Sequence, residues 1–378
     1  MKVLILGSGQ LARMLSLAAA PLGIRVLAVD VRAHEVVDPV TFQVQPESIY
    51  QAMQQADLIS VEFEHIARPL LEQAEETGKL LPNRIAVRSG ADRLEEKSLL
   101  DRLGIPTSPW RFIEDVGQMV PAAEQLGYPL VLKSCRDGYD GYGQWRLKSP
   151  DQLAELSQTL HKLDLAANPL IAEQFVAFER EVSVVGARDR SGATAIYPIT
   201  ENLHFEGQLR LSLAPARGLT PKLQEQAESA FHRLTTELDF CGIMAIEFFK
   251  VNGQLWVNEL APRVHNSGHW SQRGSRTSQF ENHIRAVCGL PLGDTHLTCP
   301  TAMINIIGYV PPNWNMLRVP GCSLHWYEKA LKPKRKLGHF NLVAENTRQL
   351  GQRLNELAAY LPAEHFPFLR ETAEELLG

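Results

Sequence analysis

The chain reads as an α/β protein built from three successive modules: a Rossmann-like unit, a two-part central module and a small β-rich unit that ends in helix. Three stretches carry that prediction. A β-α-β run spans Val3 to Asp30, a lysine-ended strand precedes a glycine-rich loop between Pro129 and Gln144, and an Asn252-Gly253 hairpin carries a glutamate on each arm. The expected modules are residues 1–95, 96–300 and 301–378, with a flap subdomain at about 110–178 inside the second.

In the first module, Val3-Leu4-Ile5-Leu6 has the unbroken apolar character of a buried parallel strand. Gly7-Ser8-Gly9-Gln10-Leu11-Ala12 then opens an apolar helix through Ala20, and a second strand follows at Arg25 to Asp30. This Gly-x-Gly-x-x-Ala turn offers helix-start N–H groups to a phosphate, and Asp30 lies where a dinucleotide fold keeps its ribose-binding acid. An NAD-dependent oxidoreductase is therefore one open reading; close helix-strand packing alone is another. A further strand, Leu58 to Glu64, brings Glu62 and Glu64 to one face at the carboxyl edge of the sheet. Arg93 to Leu103 forms an amphipathic helix closed by Gly104-Ile105-Pro106.

The central module begins with features a dinucleotide enzyme does not need. Lys133 ends a short strand, and Gly138, Gly141 and Gly143 follow in a loop able to lay backbone amides on phosphates. The stretch matches neither a Walker A loop nor a kinase glycine loop. Leu170 to Val176 reads as a strand whose exposed backbone would pair an adenine edge, with Glu181 accepting from ribose hydroxyls. Thr220 caps and Pro221 starts a helix whose Leu223, Ala227, Phe231, Leu234 and Leu238 form a core stripe.

Asn252-Gly253 between two apolar runs marks a tight hairpin, because both residues tolerate positive φ. Glu247 and Glu259 then sit on neighbouring strands, where an unpaired buried carboxylate costs several kcal/mol, roughly the whole stability margin. A hard cation completed by substrate phosphates is the natural partner, so these acids with Asn258 point to Mg²⁺ and a nucleoside triphosphate. A strict two-residue loop would place Glu247 opposite Asn258 and turn Glu259 away; shared metal binding requires a bulge that brings Glu247 opposite Glu259.

A formal net charge of -5 argues against bulk binding to nucleic acid or an anionic membrane, and 21% charged with 44% hydrophobic residues fits a globular chain. Pro21, Gly23 and Arg25 interrupt the long apolar stretch near the N-terminus, so no membrane span is expected. Five cysteines without metal-ligand spacing point to a reducing, cytoplasmic setting.

Taken together, Arg93, Lys133, the glycine loop, Glu173 to Val176, Glu181, Glu247 and Asn258-Glu259 resemble the nucleotide site of ATP-grasp ligases, over essentially the whole chain. More narrowly, Gly7 to Met14, Gly138-Tyr139-Asp140-Gly141, Ala261 to Trp270 and His325-Trp326-Tyr327 resemble the 5-(carboxyamino)imidazole ribonucleotide synthetases of purine biosynthesis. The resemblance implies an ATP-grasp fold behind an N-terminal Rossmann-like domain. It also implies ATP- and Mg²⁺-dependent carboxylation of aminoimidazole ribonucleotide by bicarbonate, and a homodimer.

Carried over residue by residue, it gives ATP Arg93, Lys133, Gly138, Tyr139, Asp140, Gly141, Tyr142, Gly143, Gln144, Glu173, Gln174, Phe175, Val176, Glu181, His204, Asn258 and Glu259. Glu247 and Glu259 would hold the metal, while Arg263, His265, Asn266 and Ser267 would surround bicarbonate and carboxyphosphate. Gln10, Leu11, Glu62, Lys329, Arg335 and Lys336 would meet the ribonucleotide, with the helix start and the basic residues taking its phosphate. Two departures stand out. Relatives commonly show Arg-Pro-Gly-Arg-Lys where this chain has Lys332-Pro333-Lys334-Arg335-Lys336, and Tyr142 replaces a basic flap residue. A sister ligase using another acceptor and a nucleotide-sensing module without turnover complete the alternatives.

Overall fold

The computed structural model describes residues 1–136, 143–161 and 163–378. Its first sheet contains β1 (Lys2–Leu6), β2 (Arg25–Asp30), β3 (Glu35–Val37) and β4 (Leu58–Val61) in the order β3-β2-β1-β4. β1 runs parallel to both β2 and β4. Val3 and Ile5 feed one apolar cluster and Leu4 and Leu6 another, which explains the unbroken apolar run of a strand covered on both faces. The strand expected to reach Glu64 ends at Val61, although Glu62 N–H still donates to the Leu6 carbonyl at 3.0 Å.

The flap sheet comprises β5 (Trp110–Ile113), β6 (Leu130–Ser134), β7 (Gln144–Leu147) and β8 (Leu170–Gln174), ordered β5-β8-β6-β7. Ile113, Met119, Leu126, Leu132 and Leu170 fill its own small core. β8 lies inside this sheet, so the strand expected to reach Val176 ends at Gln174 and its backbone up to there is paired on both sides. Beyond the ladder, Gln174 N–H donates to Pro109 O at 2.9 Å and Phe175 N–H to Pro129 O at 3.0 Å.

The large nine-stranded sheet takes β9 (Arg180–Arg188), β10 (Thr194–Ile196), β11 (Thr200–Phe205), β12 (Gln208–Ala214), β13 (Gly242–Val251), β14 (Gln254–Ala261), β15 (Thr301–Ile307), β16 (Cys322–Trp326) and β17 (Lys336–Val343). Its path is β14-β13-β9-β11-β12-β15-β17-β16, with β10 added beside β9. Secondary structure runs across both expected boundaries. The one at 95 falls inside the helix Arg93–Arg102, and the one at 300 is crossed by continuous pairing of β12 with β15. The C-terminal strands therefore extend the central sheet rather than forming a separate one.

The hairpin follows the requirement set by its two acids. Asn252 and Gly253 both have positive φ, 49° and 72°, and Val251 pairs Gln254. Further along, Glu247 pairs Glu259 while Phe248 pairs Val257, so Asn258 is the extra residue of a bulge. Helix Pro221–Glu237 packs Leu223, Ala227, Phe231 and Leu234 against β9 and β13, as its apolar stripe predicts. Thr220 accepts the Leu223 N–H at its N-terminus. No helix among the described residues is long and apolar enough to cross a membrane, and all five cysteines are free thiols.

One buried ion pair ties β11 to the C-terminal helix. Arg217 forks both Glu201 oxygens, at 2.8 and 2.7 Å, while Arg180 adds a second cation and Arg217 also reaches Glu375 on the helix Leu369–Leu377. Burial alone would raise the Glu201 carboxyl; Arg217, then Arg180, outweigh it and hold it below the usual range. A depressed folded-state pKa stabilises above the unfolded value and loses that contribution as pH falls through the folded value. Glu201→Gln is accordingly expected to cost about 3–5 kcal/mol in urea unfolding at pH 7. The deficit should shrink below pH about 4, where the wild-type carboxylate also protonates.

Candidate functional site

A cleft of about 1650 Å³ opens between the three modules. At one end it meets β6 and β8 of the flap sheet, in the middle the β13–β14 hairpin, and at the other end the start of helix Gln10–Ala19 and the segment 327–336. Gln10, Leu11, Glu62, Arg93, Lys133, Gln144, Glu173, Gln174, Phe175, Val176, Glu181, His204, Glu247, Asn258, Glu259, Arg263, His265, Asn266, Lys329, Arg335 and Lys336 all line it, although they span most of the chain. Gly138, Tyr139, Asp140, Gly141 and Tyr142 lie outside the described residues. Gly143 is not part of the wall; its carbonyl accepts from Ser134 N–H at 2.8 Å.

At the flap end, Glu173 is the anion between two lysines: Lys97 Nζ lies 3.0 Å from one oxygen and Lys133 Nζ 2.7 Å from the other. Burial would raise the Glu173 carboxyl, but Lys133 and Lys97 hold it far below the usual range. Burial also lowers the Lys133 ammonium, against the pull of Glu173. Lys133 is thus a shared cation, not an isolated point charge. Arg93 starts its helix at the cleft rather than in solvent, and Glu259, Glu96 and Glu173 raise it against the effect of burial. Lys97 was not singled out in the sequence. Its spacing of four residues from Arg93 on one helix was the available signal.

In the middle, Glu247 and Glu259 face one another across the bulge. Burial raises the Glu247 carboxyl; His204 opposes that, while Glu259 and Glu181 add to it. Two carboxylates this close in a shielded cleft need a further cation, so the donor set fits Mg²⁺. Among the described residues no group of three or more His, Cys, Asp or Glu side chains could hold a metal unaided. The remaining ligands would have to be waters and phosphate oxygens, as Mg²⁺ prefers. Glu96 supports this strand from behind, its carboxylate accepting the Leu260 N–H at 2.9 Å. His204 Nδ1 lies 3.1 Å from Glu181, joining two residues expected at separate parts of the nucleotide.

The wall after β14 holds Arg263, His265 and Asn266. Arg263 is raised by Glu64, which accepts a two-pronged contact from Nε and, at 2.9 Å, from Nη2; burial works the other way. Its planar fork, expected to grip an anionic intermediate, is therefore turned onto Glu64. Burial, then Arg263, lowers His265 well below its ordinary value, and its Nε2 lies 3.8 Å from Glu247. Ser267 does not join the wall: it is fully buried and its hydroxyl lies 2.9 Å from His265 Nδ1. Trp270 is core, donating to Thr200 Oγ1 at 2.8 Å, whereas His269 reaches the cleft.

The ribonucleotide end corrects the phosphate expectation at the first glycine turn. Glu62 occupies that helix start, accepting the Gly9 N–H at 2.5 Å and the Leu11 N–H at 3.0 Å. The chain's own carboxylate takes the place expected for a phosphate. A Cβ on Gly9 would lie 2.4 Å from Glu62 Oε1, so a larger residue would displace the Glu62 carboxylate from the helix start. Glu62 and Glu64, equivalent in the sequence, are now distinct: one caps the helix and the other holds Arg263. Lys329 contacts Gln10 and approaches the Tyr327 ring, with Nζ 6.0 Å from its centroid. Lys334 fills the expected glycine position with φ of 59°, a conformation that costs a non-glycine residue about 1–2 kcal/mol, and pairs with Glu206 at 3.2 Å. Phe178 and Phe249, stacked 4.6 Å apart at the cleft wall, had no signal in the sequence because nothing local couples them.

Comparison with known proteins agrees with this geometry. Three family profiles match in order: a ribonucleotide synthetase preATP-grasp domain over residues 1–89, an ATP-grasp domain over 98–280, and a phosphoribosylaminoimidazole carboxylase C-terminal domain over 301–353. The N5-carboxyaminoimidazole ribonucleotide synthase of Vibrio cholerae is 48% identical over 379 residues, covering 100% of both chains. The crystal structure of N5-carboxyaminoimidazole ribonucleotide synthetase from Thermus thermophilus superposes with a TM-score of 0.85 at 39% identity, covering 95% of this chain and 98% of that one. N5-carboxyaminoimidazole synthase from Aspergillus clavatus, in complex with ADP and 5-aminoimidazole ribonucleotide, gives 0.82 at 28% identity, with 95% and 98% covered. From its N-terminal sheet to its C-terminal strands, the chain belongs to the N5-carboxyaminoimidazole ribonucleotide synthase family of ATP-grasp ligases.

Proposed function

We infer that the protein carboxylates the exocyclic amine of 5-aminoimidazole ribonucleotide, consuming ATP and bicarbonate and releasing ADP and phosphate. The observation that carries the reading is the order of charges along one cleft. A lysine-glutamate cluster, two opposed carboxylates, an Arg-His-Asn wall and a lysine-arginine end follow one another from flap to first module. The family, and the relative in complex with ADP and 5-aminoimidazole ribonucleotide, support the same pair of ligands.

Bicarbonate is a poor electrophile, so its oxygen first attacks the γ-phosphorus of ATP. The bond to the β-phosphate oxygen breaks and carboxyphosphate forms as ADP leaves. Carboxyphosphate then divides into phosphate and carbon dioxide, and the amine nitrogen bonds to that carbon as its proton passes to the released phosphate. In this reading Lys133 and Arg93 steady the nucleotide phosphates, with Gln174 to Val176 beside the base and Glu181 and His204 near the sugar and phosphates. Arg263, His265 and Asn266 border the reacting carbon and phosphorus; Lys329, Arg335 and Lys336 take the ribonucleotide phosphate, and Gln10 orients Lys329. Glu247 and Glu259, with Asn258, would hold Mg²⁺, which supplies charge neutralisation at the transferring phosphoryl group. Water exclusion matters because carboxyphosphate hydrolyses readily. The family resemblance adds a homodimer to this reading, checked by light scattering in solution, and the five cysteines add a reducing, cytoplasmic setting.

Phosphate release with each component omitted in turn tests the assignment. Turnover should require ATP, bicarbonate and the ribonucleotide together; equal turnover with another acceptor would identify a sister ligase, and binding without turnover a sensing module. Glu259→Gln should reduce kcat on the order of 10²–10³-fold while the melting temperature is kept, through loss of the metal site. Arg335→Ala, at the far end, should mainly raise the ribonucleotide KM by about 10- to 100-fold, the scale of one charge-assisted hydrogen bond.

A further inference from the structure

The Arg-His-Asn wall has fixed hydrogen-bond polarity, and two residues behind it set that polarity. His265 Nδ1 accepts the backbone N–H of Ser267 at 3.3 Å, and the Ser267 hydroxyl lies beside the same nitrogen at 2.9 Å. A backbone N–H can only donate, so Nδ1 carries no proton and the ring proton sits on Nε2, the nitrogen on the Glu247 side of the cleft. Asn266 is fixed by the same kind of logic through Asn305 on β15. The carbonyl of Leu209 can only accept, so the Asn305 atom 2.8 Å from it is Nδ2. That same Nδ2 meets Asn266 at 3.1 Å, which must then present Oδ1 to it and hold its own Nδ2 away.

Resting on the carboxylation reading above, we propose that Ser267 and Asn305 are positioning residues that turn His265 and Asn266 into paired N–H donors, making this wall an oxyanion cradle for carboxyphosphate that holds no base. The chemistry closes without one. When carboxyphosphate breaks at its carboxyl carbon–oxygen bond, the electron pair stays with the phosphate oxygen. The carboxyl proton passes to the departing phosphate itself, and carbon dioxide is left. Donors aimed at the carboxyl and phosphoryl oxygens stabilise the charge that develops there, as in other oxyanion sites. Asn305 is almost wholly buried and belongs to the C-terminal module, so it acts only through Asn266.

Nitrogen-15 NMR of histidine-labelled full-length protein tests the first half, with His265→Asn used to identify the His265 signals. The expected spectrum shows an unprotonated Nδ1 and a protonated Nε2, with and without ADP; a protonated Nδ1 would overturn the proposal. For the second half, Asn305→Asp can only accept, so Asn266 should rotate and present Oδ1 to the cleft. Bicarbonate turnover, as kcat/KM, should fall on the order of 10²-fold while the ATP KM stays within about twofold. Asn266→Asp replaces the donor directly, keeps the side-chain shape and decides the matter should Asn305→Asp not fold. Bicarbonate kinetics equal to wild type in that variant would sink the cradle. A wild-type enzyme that releases phosphate without bicarbonate would instead overturn the carboxylation reading.

Discussion

The opposition of Glu247 and Glu259 across the β13–β14 bulge is the constraint on which the cleft depends. One residue of register separates two acids that share a site from two that point to opposite faces. The bulge at Asn258 supplies that residue, and the Glu96 carboxylate on the Leu260 N–H helps to hold the outer strand. The Val257 N–H donating to Pro106 O at 2.7 Å covers the same edge, which would otherwise be open.

Around that pair, charge is compensated locally, in a pattern repeated at each end of the cleft. Glu173 sits between Lys97 and Lys133, Glu64 under Arg263, and Glu62 on the N–H groups of a helix start. Each of these three carboxylates has its own donors; they outweigh burial at Glu173 and Glu64, whereas at Glu62 burial still raises the carboxyl. Glu247 and Glu259 at the bulge instead face one another, and Glu259 adds to the effect of burial on the Glu247 carboxyl. That contrast is why the donor set at the bulge, rather than the other carboxylates, fits a cation.

The C-terminal strands take part in the site as a supporting layer. Asn305 on β15 holds Asn266, Asn341 on β17 donates to the His269 carbonyl at 3.0 Å, and the Tyr327 hydroxyl lies 2.6 Å from His339 Nδ1. These contacts follow from β12 pairing with β15, which carries the central sheet into the last module. The cleft wall between Arg263 and His269 is therefore braced by residues far away in the chain. Helix Gln279–Val287, packed on helix Gln10–Ala19, braces it from the other side, with Gln279 accepting the His265 N–H at 2.9 Å.

Local chemistry made the hairpin, the first β-α-β unit and the helix at Pro221 legible in the sequence, because turn residues, apolar periodicity and caps act within a few positions. The same holds for the long Ala261 to Trp270 run, whose residue types are specific enough to name a family. What the sequence could not settle was how buried charges would share partners. Glu62 and Glu64 are two residues apart with the same side chain, yet one meets Gly9 and the other Arg263, about 50 and 200 positions away. Ser267 reads as a cleft residue from its neighbours, but the short helical turn at Asn266–Gly268 points it inward onto His265. Sequence thus determined which groups the cleft contains; the tertiary structure decided which of them face the substrate, because desolvation forces each buried polar atom to take the nearest partner the fold supplies.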